Sequence, residues 1–251
     1  MKKVLLLTCA ALLLVSVPAM AQVKLGWNAC GIAPNAFTTD VVFPCNGANG
    51  TPRAILYGSF TDPVGLPTLI AMDGEMDMQT TNPITPTVSF FEFASDVNPT
   101  GCNPGVVFGD ERPAAGCTGV SSLCGTFPAG GQCNIAQGWL YTAIDPQIAA
   151  NRGKLRFSVF RTATIAAAAA TEYFVFHVDF YADLASQAGG PCVNCPDQAA
   201  FVWNSLVLKD PGGADVTVAT PSCATWNGGT SICAATPTLN KTWGALKSLY
   251  R

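Results

Sequence analysis

Few side chains of this sequence combine the types and spacing that catalysis needs. His177 is the only histidine in the 251 residues, and Asp179 follows two positions later on the same face of a predicted strand. A Ser-His-Asp arrangement would have to use this pair, yet no G-x-S-x-G segment is present to expose a nucleophilic serine. We therefore expect His177 to be a solvent-facing or partly covered strand residue, and we predict no catalytic residues.

Acidic side chains alternate along another predicted strand. Asp73, Glu75 and Asp77 share one face, with their carboxylates about 7 Å apart along the strand. A row of this kind does not straddle a glycosidic bond, which glycosidases hold between two carboxylates across a cleft. Three carboxylates could bind calcium, although the spacing of a calcium-binding loop is missing and a solvated strand face is the simpler interpretation. The sequence leaves calcium open and predicts no cofactor.

Aromatic side chains are the remaining chemical feature, with five tryptophans in a chain poor in charge. Sugar rings stack on exposed aromatic faces, although most tryptophans of a β-sandwich are expected in its core. Trp226, in a Thr-Trp-Asn-Gly-Gly segment, and Tyr181, near Asp183, are the candidates for exposed ligand contacts.

The cysteines indicate an oxidising compartment. Of the 11 cysteines, only Cys9 lies in the predicted export signal, and the even remainder is typical of disulfides. Each pair of neighbours flanks a loop rich in Gly, Pro or Asn, which favours pairing between neighbours, although spacing alone does not fix the connectivity. The favoured pairs are Cys30/Cys45, Cys102/Cys117, Cys124/Cys133, Cys192/Cys195 and Cys223/Cys233. The CxxC at Cys192 lies between Gly189-Gly190-Pro191 and Pro196, so a structural disulfide is favoured over a redox or zinc motif.

The start of the chain has the pattern of a secretory signal peptide. A basic Met1-Lys2-Lys3 precedes an apolar stretch over 4–17, and Ala19-Met20-Ala21 supplies a cleavage site before Gln22. We therefore predict a signal peptide over 1–21, a secreted protein, and no transmembrane segment after cleavage. With 12% charged residues, a net charge of −3 and no basic run, a nucleic-acid partner is excluded.

Period-2 alternation recurs through the body of the chain, between segments rich in Gly, Pro, Asn and Asp. The predicted strands are 53–60, 69–78, 87–93, 139–144, 154–161, 172–181, 201–208 and 215–219. In 172–181, the side chains Phe174, Phe176, Val178 and Phe180 are expected to share one apolar face. These patterns predict an all-β, antiparallel β-sandwich of the jelly-roll or immunoglobulin-like kind over 22–235, stapled by disulfides.

The last segment, 236–251, differs from the body. After a Thr236-Pro237-Thr238 spacer, apolar residues recur at helical spacing among basic ones. Trp243, Leu246, Lys247 and Tyr250 are the candidate docking residues of this tail. A frayed terminus is the alternative.

Several motifs together resemble an uncharacterised family of secreted bacterial proteins. They are Trp27-Asn28-x-Cys30, Phe43-x-Cys45, Gly58-Ser59-Phe60, Thr171-Glu172-Tyr173-Phe174-x-Phe176, Cys192-x-x-Cys195, Thr225-Trp226-Asn227-Gly228-Gly229 and a Thr242-Trp243-Gly244-x-x-Lys247-x-Leu249-Tyr250-Arg251 end. This resemblance implies export and architecture and carries no known activity. The strands over 153–208 also look like a cohesin or carbohydrate-binding-module sandwich, which is a likeness of fold and not of function.

Three functions remain open at this point. The favoured one is a non-enzymatic extracellular or cell-surface binding or assembly module, which the tail docks or sorts. The alternative is a carbohydrate-binding module, and a secreted hydrolase is the third. The expected partner is an envelope component, a protein or a polysaccharide.

Overall fold

The computed structural model describes residues 22–30, 38–47, 53–62, 65–94, 101–103, 106–108, 117, 120–122, 124, 133–212, 215–218, 221–229 and 233. The predicted signal peptide and tail lie outside these residues. The strands are β1 (Gln22–Trp27), β2 (Asp40–Val41), β3 (Arg53–Thr61), β4 (Leu66–Thr80), β5 (Val106–Phe108), β6 (Ser121–Ser122), β7 (Cys133–Tyr141), β8 (Arg152–Ala167), β9 (Glu172–Tyr181), β10 (Ala199–Lys209), β11 (Val216–Val218) and β12 (Ser222–Trp226). Two 3-10 helices, Ala182–Leu184 and Ser186–Ala188, connect β9 towards β10.

The strands form two sheets that pack as a sandwich, which confirms the predicted fold class. The first sheet has the order β1-β3-β9-β5, with β6 also beside β9. The second has the order β2-β12-β10-β4-β8-β7, with β11 also beside β10. All these pairs are antiparallel except β2 with β12 and β6 with β9.

Alternation places the core side chains of β4 and β8 as the sequence predicts. Met76 and Leu155 are fully buried and belong to the main core, while Glu75 and Arg156 face outward as a cross-strand pair. Apolar side chains of the two sheets meet between the layers: the ring centroid of Phe176 lies 5.1 Å from that of Trp203. Burial of this apolar surface holds the sheets together.

A β-bulge in β9 corrects the predicted apolar face of that strand. Gly58 of β3 pairs with Phe176 and Ser59 pairs with Phe174, so Val175 has no opposite residue. One extra residue reverses the alternation beyond it. Phe174 therefore leaves the face of Phe176 and packs in a second cluster on the outer side of the sheet.

The predicted strand over 87–93 is wrong. Thr87 has a φ of 67°, and Ser89 N–H donates to the carbonyl of Thr85 at 3.0 Å, which makes a turn. Phe90 and Phe91 are both fully buried, so neighbouring side chains do not alternate between core and solvent here. The segment makes only single bridges, at Ser89 and at Phe93.

The five disulfides only partly follow the predicted pairing of neighbours. Cys124–Cys133 and Cys223–Cys233 join neighbours. The predicted pairs Cys30/Cys45, Cys102/Cys117 and Cys192/Cys195 are wrong; the structure has instead Cys30–Cys117, Cys45–Cys195 and Cys102–Cys192. Cys192 and Cys195 each form a disulfide with a distant segment of the chain, so their CxxC contributes two structural disulfides rather than one redox pair.

Candidate functional site

The three aligned carboxylates of β4 are held by cations of the neighbouring strands. Lys154 Nζ lies 2.5 Å from Glu75 Oε1 and 3.1 Å from Asp77 Oδ1. Lys209 Nζ lies 3.8 Å from Asp73 Oδ2. Opposite charges facing each other across strands stabilise a sheet. A calcium ion would have to displace these partners, and the part of the chain that is described contains no group of three or more His, Cys, Asp or Glu set to hold a metal.

His177 is buried, with 3% of its surface exposed, which corrects the expectation of a solvent-facing or partly covered residue. It lies on the outer side of the first sheet, 6.0 Å from the ring of Tyr57, and its Nε2 is 3.6 Å from Asp179 Oδ2. The same oxygen of Asp179 accepts from Arg53 at 2.5 Å and from the Tyr181 hydroxyl at 3.3 Å. His177 and Asp179 therefore form part of a packed polar cluster.

The electrostatics of this cluster reflect burial and the two cationic or potentially cationic partners of Asp179. Burial acts to raise the pKa of Asp179, but hydrogen bonds and charge from His177 and Arg53 outweigh it and hold that pKa below its ordinary value. Burial, with the charge of Asp179, raises the pKa of Tyr57 to about 12. The arrangement keeps Asp179 ionised and Tyr57 neutral, which stabilises the packing of β3 on β9.

Trp226, a candidate for an exposed ligand contact, is fully buried and is not available for stacking on a ligand. Its ring lies 4.5 Å from that of Phe43 and 4.9 Å from that of Phe180, and its Nε1 donates to the carbonyl of Cys195 at 2.9 Å. Trp27, Trp139 and Trp203 are fully buried too. Tyr181 is half-buried, with the Arg53 guanidinium 5.2 Å from its ring centroid.

A shallow, mainly apolar groove lies at one end of the second sheet, and we call it the Val42 groove. Its volume is about 650 Å³. It is lined by Val42, Phe43, Pro44, Cys45, Asn46, Gln187, Pro196, Asn227 and Gly228. Val42 is 80% exposed, although it is apolar.

Strand order brings the walls of this groove together. Since β2 is parallel to β12 and β12 is antiparallel to β10, the ends of β2 and β12 meet the beginning of β10. Cys45 follows β2 and Cys195 precedes β10, and their disulfide closes this end. Asn227, just after β12, accepts from Phe43 N–H at 2.8 Å and donates to the Cys195 carbonyl at 3.2 Å. The groove is therefore cross-linked on several sides.

The polar rim of the groove is amide-rich. Asn46 and Gln187 are exposed in its lining, which contains no charged residue. Asp197 follows the lining residue Pro196 and Asp40 lies two positions before Val42; burial raises the pKa of Asp197 against the hydrogen bond from Asn82. An apolar side chain flanked by basic groups fits such a surface.

Sequence reasoning did not predict this groove, although it singled out its parts. Three motifs of the resemblance, Phe43-x-Cys45, Cys192-x-x-Cys195 and Thr225-Trp226-Asn227-Gly228-Gly229, bond to one another here through backbone and side-chain groups. The candidate tail residues Trp243, Leu246, Lys247 and Tyr250 lie outside the described residues. Within the described ranges, no helix has the length and apolar character to cross a membrane.

Fold and site together define a disulfide-stapled β-sandwich with an open apolar groove at one end. No protein-family model matches the chain, and neither does any curated protein. Among solved structures, it is similar to a cohesin module from a family 33 glycoside hydrolase of Clostridium perfringens ATCC13124. The TM-score is 0.38 and the identity 5%, over 82% of this chain and 93% of that one. A likeness of this size supports no transfer of function.

Proposed function

We propose that this chain is an exported, non-enzymatic binding or assembly module of the extracellular space or cell surface, and that its tail, 236–251, docks it to an envelope partner. In this proposal, residues 1–21 are the signal peptide and 22–235 form the sandwich. Five disulfides within one sandwich support export, because such bridges persist in oxidising compartments.

The observation that carries the docking half is the Cys223–Cys233 disulfide. It bonds the last described residue to β12, next to the central strand β10 of the second sheet. The last described residue is therefore fixed to the sheet by a covalent bond, and the candidate docking residues Trp243, Leu246 and Tyr250 follow it in sequence. A rigid body with an anchored exit suits a module that presents its tail to a partner.

The candidate catalytic groups support a non-enzymatic role, because the fold already uses them. Glu75 is paired with Lys154 and Arg156, and Asp179 with Arg53 and His177. General acid–base work needs a group free to reach a substrate proton. These side chains instead hold neighbouring strands together.

The test compares the mature chain with two variants of the same length, Trp243→Ala and the control Ile135→Ala. Ile135 is 38% exposed on β7, at the edge of the second sheet opposite β2. Each protein is incubated with isolated cell envelope and with insoluble polysaccharides, and the bound fraction is measured. Envelope binding that Trp243→Ala removes and Ile135→Ala leaves intact supports the proposal. Polysaccharide binding that both variants retain would instead place the function in the sandwich.

A further inference from the structure

We infer that the Val42 groove is the intramolecular binding site of this chain's own tail, so that Trp243, Leu246 and Tyr250 are covered until a partner competes for them. This inference deepens the proposed function and rests on it for the role of the tail. The contact itself lies within one chain and needs no partner.

Chemical complementarity is the first argument. In the groove, Val42 and Pro196 are exposed and Phe43 is buried. Val42 is the most exposed large apolar side chain among the described residues. Apolar side chains that remain accessible around a concave surface mark sites of interaction. The tail supplies the matching feature, since Trp243 and Leu246 stand three positions apart, with Tyr250 four positions further on.

Charge is the second argument. The tail carries Lys241, Lys247 and Arg251, and no acidic residue occurs anywhere in 234–251. The groove has no Lys or Arg in its lining, and the acidic residues nearest to it in sequence are Asp197, directly after Pro196, and Asp40, two positions before Val42. Complementary charge favours contact between the basic tail and this groove, and it disfavours contact between the tail and a basic surface.

Reach is the third argument, and it favours the tail of the same chain over that of another. Cys223, which is bonded to Cys233 with a Cα–Cα distance of 6.0 Å, lies four residues before Asn227 along β12. The span from the tail's exit to the groove is therefore about 13 Å along the strand, with the disulfide adding a few ångströms. Trp243 lies ten positions after Cys233, and ten residues span a root-mean-square distance of about 17 Å by the random-coil relation.

A linker whose extension matches its span gives an effective concentration in the millimolar range. At about 1 mM, a contact with an intrinsic dissociation constant of about 0.1 mM is some 90% formed. A shallow groove can supply an affinity that weak, whereas a second molecule at micromolar concentration would stay largely unbound. The occupant expected in the isolated protein is thus the tail in cis.

The experiment measures acrylamide quenching of Trp243 in the full mature chain, without envelope. Subtracting the emission of Trp243→Phe isolates the Trp243 signal from the four buried tryptophans. In the wild type, most of this signal should resist quenching, and Val42→Asp should raise its quenchable fraction about tenfold. Ile135→Asp on the opposite sheet edge is the matched control and should behave as the wild type does.

Gln187→Arg provides a second route in case Val42→Asp disturbs folding, which circular dichroism reports. Gln187 is exposed, and a positive charge there should repel the basic tail and expose Trp243 as well. Full quenching of Trp243 in the wild type would overturn the inference, and so would protection that both groove variants leave unchanged. Protection that grows with protein concentration would assign the groove to a second copy and overturn the cis contact. If the groove variants expose Trp243 to quenching but no protein binds envelope in the separate assay, the contact within the chain stands and only the docking role is refuted.

Discussion

Replacing Trp226 by alanine should destabilise the sandwich rather than remove a ligand contact. The ring is fully buried and lies within 6 Å of five others: Trp27, Phe43, Phe90, Phe91 and Phe180. A buried tryptophan removes up to about 250 Å² from water, which at about 25 cal/mol per Å² gives an upper value near 6 kcal/mol. Measured truncations of buried aromatic residues cost about 3–5 kcal/mol, so we expect about 4 kcal/mol.

The hydrogen bond of Trp226 makes a second, smaller contribution to stability, which a different substitution measures. Trp226→Phe keeps a ring in place but removes the Nε1 donor to the Cys195 carbonyl, which still accepts from Asn227 Nδ2. A net loss of about 1 kcal/mol is expected from the hydrogen bond, with a further contribution from the smaller ring. Val42→Ala, at an exposed position of the same end of the sheet, should change stability by less than about 0.5 kcal/mol.

Urea unfolding with the disulfides intact, followed by far-UV circular dichroism, measures these differences. A loss of about 4 kcal/mol corresponds to a fall in Tm of about 8–16 °C for a domain of this size. The reasoning fails if Trp226→Ala unfolds within about 1 kcal/mol of the wild type. It fails more specifically if that variant keeps its stability and loses polysaccharide binding, since Trp226 would then be a surface ligand contact.

Two further predictions concern Asp179 and Gly74. The pKa of Asp179 is held low in the fold by His177 and Arg53, so its stabilising contribution is present above the ordinary aspartate pKa and is lost as pH falls through the lower folded value. The difference in unfolding free energy between the wild type and Asp179→Asn should shrink as pH falls below about pH 4; a difference that grows between about pH 4 and pH 2 would contradict this. A Cβ at Gly74 would lie 2.2 Å from Phe157 Cζ, so Gly74→Ala should cost about 1–3 kcal/mol in chemical denaturation. A neutral or stabilising Gly74→Ala would show that the Phe157 ring moves aside freely.

The sequence predicts those parts of the fold where one local rule acts alone. In β4 and β8, alternation with charged residues outside and Met or Leu inside predicts which side chains face the core, and the structure places them there. The two-residue period fails in β9, where both faces are buried and the extra Val175 reverses the pattern. The polar residues of this strand, Glu172, His177 and Asp179, are themselves buried, so they do not mark a solvent-facing side, and Phe174 could not be assigned to its cluster from the sequence.

The cysteine pairing and the Val42 groove could not be predicted for a shared reason, which is that both depend on strand order. Pairing between neighbours follows from loop length alone, and it holds only for Cys124–Cys133 and Cys223–Cys233, which lie nine and ten positions apart. Cys45 and Cys195 are separated by 150 positions, and they meet because β12 inserts between β2 and β10. The same insertion places Asn227 against both partners and forms the groove. The Cys45–Cys195 disulfide, which joins the loop after β2 to the loop before β10, thus marks a surface assembled from distant segments, and Cys233 is bonded to β12, the strand between them.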